Sequence, residues 1–157
     1  MQANWAHGLW GVALAGLVAA LVGSWTRPAQ ALTVEALSII GKNDDSGMDK
    51  SIPSSVRDAL KKGFPYKSYK LANRDSRAAT IGQVTKLTLT GGYSLTVKPL
   101  RAEGQGEKRK IKLTVAIVKG DAAKLTATID LKPDRYFPME GPPVDSGTLI
   151  VFMAVSE

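Results

Sequence analysis

Apolar and polar residues alternate with a period of two along most of the chain beyond residue 31, the signature of strands with one buried face. Segments 33–40, 66–72, 84–89, 93–99, 109–119, 124–132 and 148–155 are predicted strands, with glycine-bearing turns among the connections. One stretch breaks the period. In 53–62, Val56 and Leu60 stand four apart with Ile52 leading in, Ser51 is placed to cap, and Gly63 is placed to stop. Lys61 and Lys62 suit the negative end of a helix dipole there. About seven closely spaced strands with one short helix predict a mainly β chain. The expected architecture is an antiparallel β-sandwich, immunoglobulin-like, with an accessory helix over an end or edge of a sheet.

Side-chain parity sets the registers. Leu87 and Leu89 share a face, as do Tyr93, Leu95 and Val97. Only an odd loop puts both sets on one core face, so Thr90-Gly91-Gly92 is predicted to pair Leu89 with Tyr93 and Leu87 with Leu95, with Gly92 left-handed. In the next hairpin Ile111, Leu113, Val115 and Ile117 are set to face Leu131, Ile129, Ala127 and Leu125 across a Gly120-Asp121-Ala122 turn. The outer face then matches Thr114 with Thr128 and Lys112 with Asp130, both favourable cross-strand neighbours. Segment 148–155 is apolar on both sides and is expected at the centre, between the opposite sheet and either the helix or 136–144. The proline-rich 138–143 is expected to be a shaped loop.

The first thirty-one residues follow a different rule. Residues 9–23 are apolar all round, turn polar at Ser24 and close on the small-x-small sequence Ala29-Gln-Ala31. A core of ~15 residues suits a signal peptide and is short for a bilayer span. Residues 1–31 are therefore read as a signal peptide cleaved after Ala31, and 32–157 as a single domain. No Lys or Arg precedes the apolar run, so a retained anchor is the alternative. A cleaved leader leaves no membrane span and places the protein outside the cytoplasm, in a periplasm or the extracellular space.

Composition then narrows the chemistry. Trp5, Trp10, Trp25 and His7 all lie in the leader and there is no Cys, so the mature chain lacks Trp, His and Cys. This excludes disulfides, thiolate nucleophiles, histidine bases and Cys/His zinc sites. Net charge is +7, and the leader contributes one Arg of it. In an exported protein such a balance points to lipid headgroups, polysaccharides or acidic proteins rather than to nucleic acid.

Several segments are similar to one another's counterparts in a known group: Phe64-Pro-Tyr-Lys-Ser-Tyr-Lys-Leu71, Leu89-Thr-Gly-Gly-Tyr-Ser-Leu-Thr-Val-Lys-Pro99, Leu131-Lys132, Gly141-Pro142 and Gly147-Thr-Leu-Ile150. Together they resemble small exported bacterial β-rich proteins of unassigned activity. The resemblance implies export and a β fold, and carries no functional residue with it.

Three clusters are candidates for chemistry. The acidic stretch 43–49 invites a calcium reading, but lacks the alternating ligands and closing Glu of an EF-hand loop; it reads as a solvated turn, and no metal or cofactor is expected. Tyr66, Tyr69, Arg135 and Tyr136, with Phe137, form a candidate partner-binding surface, or else cover the ends of the sandwich. Lys108, Arg109, Lys110 and Lys112 form a candidate anion-binding strand end, with Lys98 and Arg101 one hairpin away. No spacing marks a catalytic pair, and Gly104-Gln-Gly106 lacks the strand-to-helix setting of a phosphate loop. The expectation is a non-enzymatic accessory or adaptor domain of the cell envelope that contacts an envelope protein. The alternatives are a module for anionic surfaces and, more remotely, a carboxylate-dependent hydrolase.

Overall fold

Strand parity in the first element decides the layering. The computed structural model describes residues 31–145 and 147–157, so the expected leader, all but its last residue Ala31, lies outside the described residues. In β1 (Ala31–Lys42), Leu32, Val34, Ala36 and Ile40 face one way, while Leu37 and Ile39 face the other, and all are buried. After α1 (Ser54–Gly63) come β2 (Ser68–Thr80), β3 (Thr85–Thr88), β4 (Tyr93–Glu103), β5 (Lys110–Lys119), β6 (Ala122–Leu131), β7 (Phe137–Val144) and β8 (Gly147–Ser156). A 3-10 turn, Gly106–Lys108, leads into β5.

The strands form two four-stranded antiparallel sheets, ordered β2-β1-β8-β7 and β3-β4-β5-β6, which pack as a β-sandwich. Its core joins Val34, Val151 and Met153 of the first sheet to Leu95, Leu113, Val115 and Ile117 of the second. This order is not that of an immunoglobulin domain, whose sheets run ABED and CFG. Here the second sheet is an unbroken meander, because short turns pair each of its strands with the next.

The helix forms a third layer over the outer face of the first sheet, rather than capping an edge. Ile52, Val56 and Leu60 pack on Leu37, Ile39, Ile150 and Phe152. Each such side chain contributes about 1.5–3 kcal/mol when fully removed from water. β8 is thus covered on both faces, as its unbroken apolar run requires, and so is the second half of β1. Ser51 does not cap the helix: its N–H and hydroxyl both donate to Asp49, and the N-cap position is Pro53, with no side-chain cap.

Both predicted registers form. Leu87 pairs with Leu95, and the Leu89 N–H donates to the Tyr93 carbonyl at 3.0 Å. Gly91 and Gly92 are both left-handed, at φ 73° and 77°. Ile111, Leu113, Val115 and Ile117 pair with Leu131, Ile129, Ala127 and Leu125. The turn differs from expectation: Lys119 pairs with Ala122 across Gly120-Asp121 alone, and Lys124 is the extra residue that restores the register. Gly120, at φ 60°, suits the tighter turn.

Strand limits are corrected as well, β4 running on past residue 99 to Glu103. β2 continues to Thr80 instead of ending at residue 72, because a register shift opposite Ser38 lets its polar second half follow β1 to its start. Segment 138–143 lies within β7, not a loop. An edge strand needs ladder bonds on one side only, so it tolerates proline, and Gly141 and Pro142 bulge out of the pairing with β8. Among the described residues no helix is long and apolar enough to cross a membrane.

Candidate functional site

The acidic loop is a clasp on β2. Ser68 Oγ and the Ser46 N–H donate to the Asp44 carboxylate, and the Leu71 N–H donates to Asp49 at 3.1 Å. Backbone bonds from Asp49 N–H to the Tyr69 carbonyl and from Tyr69 N–H to the Gly47 carbonyl, both 2.9 Å, lay the loop along the strand. The hydroxyl of Ser68 holds the Asp44 carboxyl down to about 2, and Ser51 lowers Asp49. These carboxylates are spent on hydrogen bonds within the fold, and among the described residues no three Asp, Glu, His or Cys side chains converge.

The tyrosines separate by role. Tyr69 is 5 % exposed, and its hydroxyl donates to the Phe64 carbonyl at 2.9 Å, pinning the chain after α1. Tyr66 stands edge-on to it, 6.2 Å between centroids, and its ring lies against Gly41. The Tyr66 hydroxyl donates to Glu140 on β7 at 2.9 Å. Both rings therefore serve the helix layer.

Arg135 and Tyr136 belong to a different place: the crossover 132–136, which carries the chain from the second sheet back to the first. Hollows surround this crossover. On one side Ser55 and Ala59 of α1, Phe152, Asp134, Arg135 and Tyr136 line a cleft of about 460 Å³. On another, Thr33, Glu35, Ser76, Asp134 and Tyr136 border a hollow of about 210 Å³. A third, of about 250 Å³, brings Lys132 and Arg135 together with Glu107 and Arg109. Tyr136 is fixed between the first two: its hydroxyl donates to Glu35 at 2.9 Å, and Arg74 braces the same carboxylate. Burial, followed by that bond to Glu35, raises the Tyr136 pKa, so the phenol stays a donor. Asp134 is left-handed at φ 60°, and its N–H donates to the Val155 carbonyl at 2.8 Å, which locks the turn.

The basic run does not stay together. Arg109 turns to the crossover end, donating to Glu157 at 2.7 Å and to the Gly104 carbonyl at 3.1 Å. Lys112 lies on the outer face of the second sheet, 3.7 Å from Asp130, and Lys110 shares that face by alternation with buried Ile111. Lys108 ends the 3-10 turn. Arg109 and Arg135, from the two separate candidate sets, meet in one hollow. Sequence reasoning missed Glu35, Arg74 and Asp134. Asp134 follows Pro133, a turn signal that could have marked it; Glu35 and Arg74 read as ordinary exposed strand positions.

The molecule is thus a helix-covered antiparallel β-sandwich with a lined cleft at its sheet crossover. Compared with protein-family models, curated proteins and solved structures, the chain matches none.

Proposed function

We propose that the protein is an exported, non-enzymatic accessory module of the cell envelope that binds a partner protein at the crossover cleft. The observation that carries this reading is the cleft between α1 and residues 134–136, with the half-buried Tyr136 as its aromatic wall over buried Phe152 and Arg135 exposed beside it. An aromatic wall beside a guanidinium suits a partner segment with an apolar side chain next to a carboxylate. Tyr136 is prepositioned by Glu35 and Arg74, which lowers the ordering cost of binding. Glu35 already accepts from both neighbours, an arrangement that favours a strut over a free general acid or base.

A photo-crosslinking residue introduced at Ala59 in intact cells is expected to trap one stoichiometric partner, while one at Lys98 on the outer sheet face traps none. Tyr136→Ala and Arg135→Glu should abolish the Ala59 adduct while leaving the melting temperature within a few degrees. Equal labelling from both positions, or an adduct indifferent to Tyr136 and Arg135, would refute the assignment. The second reading, a module for anionic surfaces, is favoured by Lys98, Arg101, Lys110 and Lys112 on neighbouring strands of one face. Salt-sensitive binding to anionic vesicles, lost when these four become Gln, would support it instead.

A further inference from the structure

A strand at a sheet edge offers unpaired N–H and C=O groups to any extended chain, and proteins ordinarily close such edges. Three of the four edges here are closed. β7 carries Pro138, Pro142 and Pro143. β3 is four residues long, and side chains of β2 cap it: the Thr88 N–H donates to Asp75 at 2.8 Å, and Asn73 Nδ2 donates to the Thr88 carbonyl at 2.9 Å. β2 is covered along its first half by the 47–49 loop and along its second by these contacts with β3. β6 is different. It has ten residues and no proline, and among the described residues no backbone hydrogen bond reaches its outer side. Leu125 on it is 36 % exposed.

We propose that β6 is a self-association edge, pairing antiparallel with β6 of a second copy about a two-fold axis at Ala127. The choice of occupant rests on self-complementarity in Ala122–Leu131. With Ala127 opposite Ala127 of the second copy, Leu125 faces Ile129 and Thr126 faces Thr128, and the bulged Lys124 closes each end of the ladder beside Asp130, which Lys112 already approaches from β5, each pair occurring twice. Both faces agree: Leu125 and Ile129 continue the core side, and Thr126, Thr128 and Asp130 the outer side. A shift of one residue sets polar against apolar positions. A shift of two sets Lys124 opposite Thr128 in one direction and opposite Lys132 in the other. Only the register at Ala127 joins opposite charges. The same lysine that discourages indiscriminate pairing therefore selects this one. The product is a continuous eight-stranded sheet across two molecules, built from β6 alone and argued from no residue of the α1 cleft.

The test is the oligomeric state of protein purified from cells expressing the full chain, by sedimentation velocity over a range of concentrations. A monomer–dimer equilibrium is expected. Lys124→Asp and Asp130→Lys should each weaken it about tenfold or more, by turning two attractive pairs repulsive, with circular dichroism and melting temperature little changed. An equimolar mixture of the two variants should restore dimers, because each supplies the charges the other lacks. Ala127→Cys, the sole thiol in the chain, should give a disulfide-linked dimer on mild oxidation, since directly opposed strand residues lie within disulfide reach; Thr96→Cys should not. A monomer at every concentration, a mixture no better than either variant alone, or no crosslink through position 127 would each overturn the proposal.

Discussion

At the scale of single residues, close approach and hydrogen-bond accounting explain more than residue type. Gly41 lies where a Cβ would sit 2.6 Å from Tyr66 Cδ2, so the absent side chain makes room for the ring. Gly41→Ala is expected to lift Tyr66 and cost about 1–3 kcal/mol in urea unfolding, the usual range for overpacking. A tyrosine ring unmoved in the variant's structure would count against this. The buried Ser38 hydroxyl accepts the Thr90 N–H at 3.3 Å and ties the β3–β4 loop to β1. Asp44, Asp49 and Asp75 all have lowered pKa values, for Asp75 chiefly through the Thr88 N–H. A carboxyl with a depressed folded-state pKa stabilises above its unfolded value and loses that contribution as pH falls through the folded one. For Asp44 the window runs from 3.8 down to about 2. Stability measured by denaturant titration should fall across that window, and Asp44→Asn should flatten the fall; an unchanged slope would remove Asp44 from the account.

At the scale of elements, α1 is held by packing rather than by its own ends. It spans ten residues, lacks a side-chain cap and has no acid in its first turn, so in isolation it would be marginal. Val56 and Leu60 supply its attachment to Leu37, Ile39 and Phe152. Leu60→Ala is expected to cost about 2–5 kcal/mol, as for other buried leucines. It should also loosen the cleft wall at Ser55 and Ala59, detectable as faster amide exchange across 54–63. Exchange there unchanged beside a large global loss would show that helix and sheet unfold only together. The β2–β3 corner behaves as one unit through Asp75 and Asn73, which hold the single N–H and carbonyl of Thr88.

At the scale of the whole molecule, the residue that follows the small-x-small sequence Ala29-Gln-Ala31 is already part of the core. Leu32, on β1, is 1 % exposed. Processing after Ala31 keeps that side chain, whereas trimming past it removes a buried leucine. Mass spectrometry of the protein from its native host is expected to find Leu32 first, and a chain beginning at Thr33 should melt measurably lower. A native protein beginning at Met1 would instead favour the retained anchor.

Period-two alternation by itself determined the β class and both hairpin registers, because a one-residue slip would turn every buried side chain to water, and the unbroken apolar run of 148–155 determined the central place of β8. Helix position followed in outline from Val56 and Leu60. Tertiary structure alone decided the strand order, which depends on where chain crossovers go and leaves no periodic trace. It also made an edge strand of 138–143, since proline forbids a central place but not an edge. The site was legible only in pieces. Arg135 and Tyr136 stood out as residue types, but their grouping with Glu35, Arg74 and Arg109 spans most of the chain. The basic run was visible and its dispersal was not: alternation sends Lys110 and Lys112 to the sheet face, while Glu157 draws Arg109 to the crossover end. Local sequence sets which way a side chain points along its own strand. Which distant side chain it then meets is set by packing between sheets.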